Sequence, residues 1–232
     1  MALPVLASPE FMTEIPSTKQ KIKFRPFLVK EEKILYMALE GNDEKEIQNA
    51  IVTILSNCII DEDVDVLRLT TFDIEFLFLQ LRGKSVGEKV ELLMSHSEGK
   101  CEHKTQVEIN LDDIKIVGEI SDGKIMLDDL IGVKMRYPYM HDVEKLSGDD
   151  TISLFNSLAT LIEFVYDKEN VYNDFSHDEM VTWLEQLSQS QFKVLTDFLS
   201  NMPKLSHEVK WKCSKCGETD SMVLEGLQSF FT

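Results

Sequence analysis

No apolar run in the chain approaches the roughly 18 residues that a bilayer-crossing helix needs, and the start carries no basic stretch leading into a continuous greasy one. A spanning segment and a secretory leader are both unexpected, so the protein is expected to stay in the cytoplasm where it is made. Cysteine is scarce, with four in 232 residues at positions 58, 101, 213 and 216. That is too sparse for the disulfide framework of a small secreted protein and fits reduced thiols in a cytosol. Positive charge is also short. Lys and Arg total 24 against 41 Asp and Glu, a net charge of −17, which repels phosphate backbones and anionic membrane surfaces. Nucleic acid is thereby disfavoured as a partner, and a protein with a basic surface is the partner such a field would steer.

Catalytic signatures are missing as well. There is no Gly-x-Ser-x-Gly elbow, no His-Glu-x-x-His pair and no dinucleotide fingerprint. Gly83-Lys84-Ser85 mimics the end of a phosphate-binding loop, but Phe78 stands where the first glycine belongs and a helix precedes it. His141-Asp142 and His177-Asp178 are dipeptides found in some metal phosphohydrolases, yet the second follows Ser176, where acidic residues favour a helix N-terminus. The doublets Asp112-Asp113, Asp128-Asp129 and Asp149-Asp150 each fall at a predicted turn or helix start, where solvated carboxylates are common. The chain reads as a non-enzyme.

What is present is a 43% apolar composition, enough for the core of one large domain or two small ones. Residues 1–11 end in Ser-Pro-Glu-Phe before Met12 and read as a vector remnant. Residues 12–87 form an amino-terminal arm and helical region. The arm, Lys21 to Val29, alternates around Pro26 as an edge strand would. A helix over Lys30–Glu40 stops at Gly41, and a second, capped by Asn42 or Asp43, carries Ile47, Ala50, Ile51, Ile54, Leu55 and Cys58 on one stripe. A third, opened by Thr70 and Asp73 and stopped by Gly83, is apolar nearly all round. It either runs through the core or keeps a face for a partner. Residues 88–140, with Gly at 99, 118, 123 and 132, read as β-rich. Residues 141–203 return to helices, with Leu154, Leu158, Leu161 and Val165 on one stripe, Met180, Trp183, Leu184 and Leu187 on the next, and capping boxes at Ser176/Glu179 and Ser188/Gln191. Residues 204–232 hold a hairpin from His207 and an apolar tail, and could join 88–140 in one β-module. The fold class is α+β: helical bundle portions flank short antiparallel β-hairpins, with a zinc-ribbon-like knuckle hairpin near the C-terminus.

Cys213-Ser-Lys-Cys216-Gly217 is the sharpest motif. Two thiolates three residues apart on a tight turn can grip one tetrahedral Zn2+, and the glycine relieves the turn. An internal echo supplies the other half. Val90–His96, a turn with Cys101, and Val107–Ile114 parallel Val209–Cys213, Cys216-Gly217 and Met222–Leu227. Cys101 and His96 are the candidate remaining ligands, with His103 or His207 as alternatives. The competing reading is a degenerate knuckle whose hairpins pack without metal.

Three stretches carry a family likeness: Lys23-Phe-Arg-Pro-Phe-Leu-Val-Lys-Glu-Glu-Lys33, Phe76-Leu-Phe-Leu-Gln-Leu-Arg-Gly-Lys-Ser85, and the run from Met202-Pro-Lys-Leu through Cys-Ser-Lys-Cys-Gly to Leu224-Glu-Gly-Leu-Gln-Ser-Phe-Phe231. Together they resemble the baseplate-hub assembly proteins of T-even-like contractile-tailed phages. The resemblance implies a viral protein of the infected cell's cytoplasm that helps build the tail baseplate hub, as a chaperone or as a minor hub subunit of the virion, with hub proteins as partners and no catalytic residues. It also implies cysteines about the first hairpin, where this chain has His96, Cys101 and His103; the departure bears on zinc. Phe24, Arg25, Pro26, Phe27 and Phe76 are the candidate anchors for a hub subunit, since Arg and aromatics are the usual interface hot spots. The alternative is that the arm staples the helical core.

Overall fold

The computed structural model describes residues 7–41, 43–96, 101–146, 148 and 150–230. Asn42, Gly99, Asp149 and Phe231, used above, lie outside them. The chain divides into two compact units: residues 1–66, 72–117 and 204–232 make the first, and residues 67–71 and 118–203 the second. The β-rich stretch expected over 88–140 is thus shared between them, with the division after Val117.

In the first unit, β1 (Phe11–Glu14) and β2 (Lys21–Phe24) form a hairpin in which Phe11 pairs with Phe24. Phe11, set aside above with the vector remnant, is therefore part of the fold, and its ring centroid lies 5.9 Å from that of Phe24. The alternation expected of the arm places Ile22 and Phe24 inward. α1 (Val29–Gly41) and α2 (Glu44–Cys58) pack on each other. Asp43 caps α2 by accepting from the Lys45 and Glu46 N–H groups, and the stripe from Ala50 to Cys58 is buried as its spacing predicts. The end of the arm is tied to α2 through Arg25 N–H to Cys58 O at 2.9 Å.

α3 (Thr71–Ser85) buries Phe72, Ile74, Leu77, Phe78, Leu79 and Leu81. Such a distribution fits only the core reading of this helix. Asp73 is fully buried there, accepting from Ser17 N–H at 2.8 Å and Ser17 Oγ at 2.6 Å. Gly83 does not stop the helix. The turn comes after Ser85, and Gly87, at φ +140°, supplies the backbone conformation that L residues avoid. β3 (Lys89–Met94) and β4 (Thr105–Asn110) then form an antiparallel hairpin, and β5 (Lys115–Val117) follows a 3₁₀ turn.

The second unit is built on a four-stranded sheet, β6 (Lys124–Met126), β7 (Gly132–Met135), β8 (Ile162–Tyr166) and β9 (Val171–Tyr172), antiparallel in that order. Between β7 and β8 lie α4 (Val143–Leu146) and α5 (Thr151–Leu161), the latter capped by Asp150. The stripe expected to continue to Val165 ends at Leu161: the β-branched run from Ile162 becomes β8. α6 (His177–Leu184) and α7 (Gln189–Ser200) carry both expected capping boxes. Val133, Met135, Leu158, Leu161, Met180, Leu184 and Leu195 make the core.

The chain returns to the first unit with β10 (Lys204–Lys212), which starts three residues before the predicted His207, and β11 (Thr219–Glu225). β10 lies between β11 and β5, antiparallel to both.

Among the described residues, each unit contains an arginine paired with a buried carboxylate. Glu31 has no exposure and accepts from Arg25 Nη2 at 3.0 Å and from Leu28 N–H at 2.9 Å. Asp142 accepts from Arg136 Nη1 at 2.5 Å and Nη2 at 3.2 Å, and from Tyr139 N–H at 2.9 Å. Burial pushes both carboxyls up, but the arginine and backbone hydrogen bonds outweigh it and hold each below the ordinary carboxylate value. Groups so depressed contribute stability that is complete above their unfolded pKa and is lost as pH falls through the folded one. Arg25→Ala strands a buried carboxylate and should cost about 3 kcal/mol at neutral pH. Thermal unfolding by circular dichroism between about pH 7 and pH 3 should show wild type losing more stability on acidification than the variant, since only wild type has a depressed Glu31 to protonate.

Candidate metal centre

The hairpin of β10 and β11 closes over residues 213–218. Cys213 N–H donates to Glu218 O at 2.8 Å and Gly217 N–H to Cys213 O at 3.0 Å, with Gly217 at φ +75°. That left-handed glycine makes the turn tight enough to return Cys216 toward Cys213. His96 follows β3 and reaches the same turn: its Nε2 is 3.4 Å from Cys216 Sγ, and its Nδ1 is 2.9 Å from Asp220 Oδ2. The ligand atoms of His96, Cys213 and Cys216 all lie within 4.8 Å of one another. Tetrahedral zinc with ordinary Zn–S and Zn–N lengths needs ligand atoms roughly 3.5–4 Å apart, so the three residues fit one metal ion.

The electrostatics suit a cation. Backbone N–H groups of Cys216 and Lys215 point at Cys213 Sγ, and with His96 they bring that thiol down to about 5. The Glu218 N–H favours a Cys216 thiolate, but partial desolvation and the neighbouring Cys213 outweigh it and raise that thiol, since a second thiolate beside the first is disfavoured. The Asp220 carboxylate, and after it Cys213, raise His96. One thiolate, one reluctant thiol and a polarised imidazole form a set that a divalent ion would complete.

The remaining candidates fall outside this trio. Cys101, half-buried on the connection from β3 to β4, does not join it, although its charge would still be felt at Cys216. His103 Nε2 is 2.8 Å from Ser214 Oγ, and His207 sits within β10 opposite Leu224. The two hairpins do lie side by side, as the internal echo suggested, for Ser214 N–H also donates to Thr105 Oγ1 at 3.2 Å. Asp220 escaped sequence reading. Its one signal was its place in β11 opposite Trp211, whose ring is 6.4 Å from that of His96.

The other sequence candidates resolve into structure. Asp142 of the first His-Asp pair is the partner of Arg136, and His177-Asp178 opens α6 behind the Ser176 cap. Asp128 Oδ1 accepts from Leu130 and Ile131 N–H groups, both at 2.8 Å. Phe24 is buried and Arg25 is engaged with Glu31 and, at 2.9 Å, Asn57 O. Pro26, Phe27 and Phe76 are half-buried.

The architecture is a two-unit α+β chain carrying a Cys/His knuckle that could hold a metal. The sequence matches the family described as T4 bacteriophage base plate protein over residues 8–232, and the chain belongs to that family. It is a T4-like phage baseplate protein, and residues 8–11, set aside above, fall inside the match. No curated protein and no solved structure matches the chain.

In the metal-free protein, thiolate absorbance near 240 nm should rise by one cysteine as pH passes through about 5. The step should vanish in Cys213→Ser and persist in Cys101→Ser.

Proposed function

We propose that this chain is an assembly factor that binds protein subunits of the baseplate hub in the cytoplasm of the infected cell, with the knuckle as a zinc-held structural element and no catalytic role. The family match over nearly the whole chain supports the baseplate part of this reading. Two physical features support it. The charge of −17 suits a basic protein surface, and among the described residues no helix is long and apolar enough to cross a membrane.

The surface offered to the hub centres on the end of the arm and on α1. Phe24 and Arg25 work from within, fixing the arm, while Phe27, Pro26 and Phe76 reach its half-buried margin. Next to Phe27 in sequence, Leu28 and Val29 are 48% and 79% exposed, and Tyr36 and Met37 of α1 are 59% and 61% exposed. Exposed apolar side chains on one helix and its approach are what a protein-binding face requires. Tyr36→Glu with Met37→Glu should abolish co-purification with co-expressed hub subunits and leave the far-UV circular dichroism unchanged. Retained co-purification would remove α1 from the interface.

The family description fits a permanent subunit equally, and mass spectrometry of purified virions separates the two: stoichiometric presence favours the subunit, and absence the assembly factor. For the metal, Cys213, Cys216 and His96 are the proposed ligands, and Cys101, outside the trio in the metal-free protein, would have to move in to be the fourth. His103, hydrogen-bonded to Ser214, and His207, within β10, stay the alternatives. Asp220 would hold the His96 ring with Nε2 toward the ion, as carboxylates behind ligating histidines do. Elemental analysis should find one zinc per chain, lost in Cys216→Ser, and Asp220→Asn should weaken zinc retention against a chelator about 10- to 100-fold.

A further inference from the structure

Within the second unit, a cavity of about 450 Å³ opens between the β8–β9 edge of the sheet and α6. Its wall is chemically biased. Tyr166, Tyr172, Phe175 and Trp183 contribute four aromatic rings, three carboxylates come from Asp167, Asp174 and Glu179, and no Lys, Arg or His lines it. The volume falls within the range of small-ligand pockets, and the composition rejects anions.

Two of the carboxylates are committed to building the wall. Asp167 Oδ2 accepts from the Tyr172 hydroxyl at 2.8 Å, while its Oδ1 accepts from the Glu169 and Asn170 N–H groups. Tyr172 is thereby held in place although it is 51% exposed at the last strand of the sheet. Glu179 Oε2 is the reciprocal half of the α6 capping box, accepting from Ser176 N–H at 2.7 Å. Asp174 differs: among the described residues it makes no hydrogen bond or ion pair. An aromatic enclosure with one uncommitted carboxylate and two more behind it is complementary to a planar organic cation. Guanidinium can stack on the rings and pair with Asp174 at the same time, whereas a compact ammonium can use its charge but not its plane.

We propose that this cavity is a docking pocket for an arginine side chain of a partner protein. The inference rests on the reading of the chain as a protein-binding factor, but it needs no particular hub subunit. A basic residue is also what the overall charge of −17 would draw in.

The test uses the full-length, metal-loaded protein labelled with ¹⁵N, whose two tryptophans give two indole resonances, assigned with Trp211→Phe. The probes are N-acetyl-arginine amide, its lysine counterpart, and the citrulline amide, an uncharged isostere of arginine. Arginine amide should shift the Trp183 indole saturably and leave Trp211 still. Lysine amide should bind more weakly, and citrulline amide about tenfold more weakly than arginine. Asp174→Asn, a change at an exposed carboxylate, should weaken arginine several-fold with an otherwise unchanged spectrum. Equal response to arginine and citrulline would show a merely apolar cleft and overturn the proposal. So would no shift of Trp183 up to the solubility limit of arginine amide, or undiminished arginine binding in Asp174→Asn. Failed hub capture with retained arginine binding would count against the hub reading alone.

Discussion

The first unit depends on enclosing α3. A helix whose apolar residues point in nearly every direction cannot rest on one neighbour; it needs cover from several sides, and the chain supplies it from distant parts of its length. Ser17 from the β1–β2 turn satisfies Asp73, Phe27 N–H donates to Ser85 Oγ at 3.0 Å, and Leu227 N–H reaches Glu75 Oε1 at 3.3 Å. Burial there raises Glu75 above its ordinary carboxylate value. Segments before and after it in sequence are thus recruited to one helix, which explains how a unit can be compact while residues in contact lie 152 positions apart.

The knuckle is a second long-range closure, made by chemistry instead of apolar contact. Its three convergent side chains come from the end of one hairpin and the turn of another, 120 positions apart between His96 and Cys216. Structural zinc is a common means by which small β-elements are held in register. The acidic Asp220 behind His96 shows the imidazole oriented already by the protein frame.

Local signals were legible where they rest on backbone chemistry. Ser176, Ser188 and Asp43 cap helices where their spacing predicts, and the stripe of α2 is buried from Ala50 to Cys58, with Ile47 half-buried. Gly83 misled because a helical glycine costs only about 1 kcal/mol, which the burial of its neighbours offsets. Val165 misled because a helical stripe and a strand share apolar spacing over so short a run. Of the centre, Cys213, Cys216 and His96 were legible from motif and echo. Asp220 was not, since nothing local separates a second-row carboxylate from the 41 acidic residues of the chain. Arg25 reads as an interface hot spot in sequence, and only the placement of Glu31 beneath it shows its structural employment.

The longer segment of the second unit, residues 118–203, leaves the first at β5 and returns to it at β10, and those strands are hydrogen-bonded neighbours, Val117 facing Lys204. Entry and exit therefore stand one strand spacing apart, about 5 Å, the arrangement of an insertion at a hairpin. A ribosome delivers the inserted piece whole while its host still lacks the strand that lies between β5 and β11. The host is accordingly the later of the two to close, although residues 72–117 of it precede the inserted piece. Its knuckle and the contact of Leu227 with α3 come into being only once β10 and β11 have emerged.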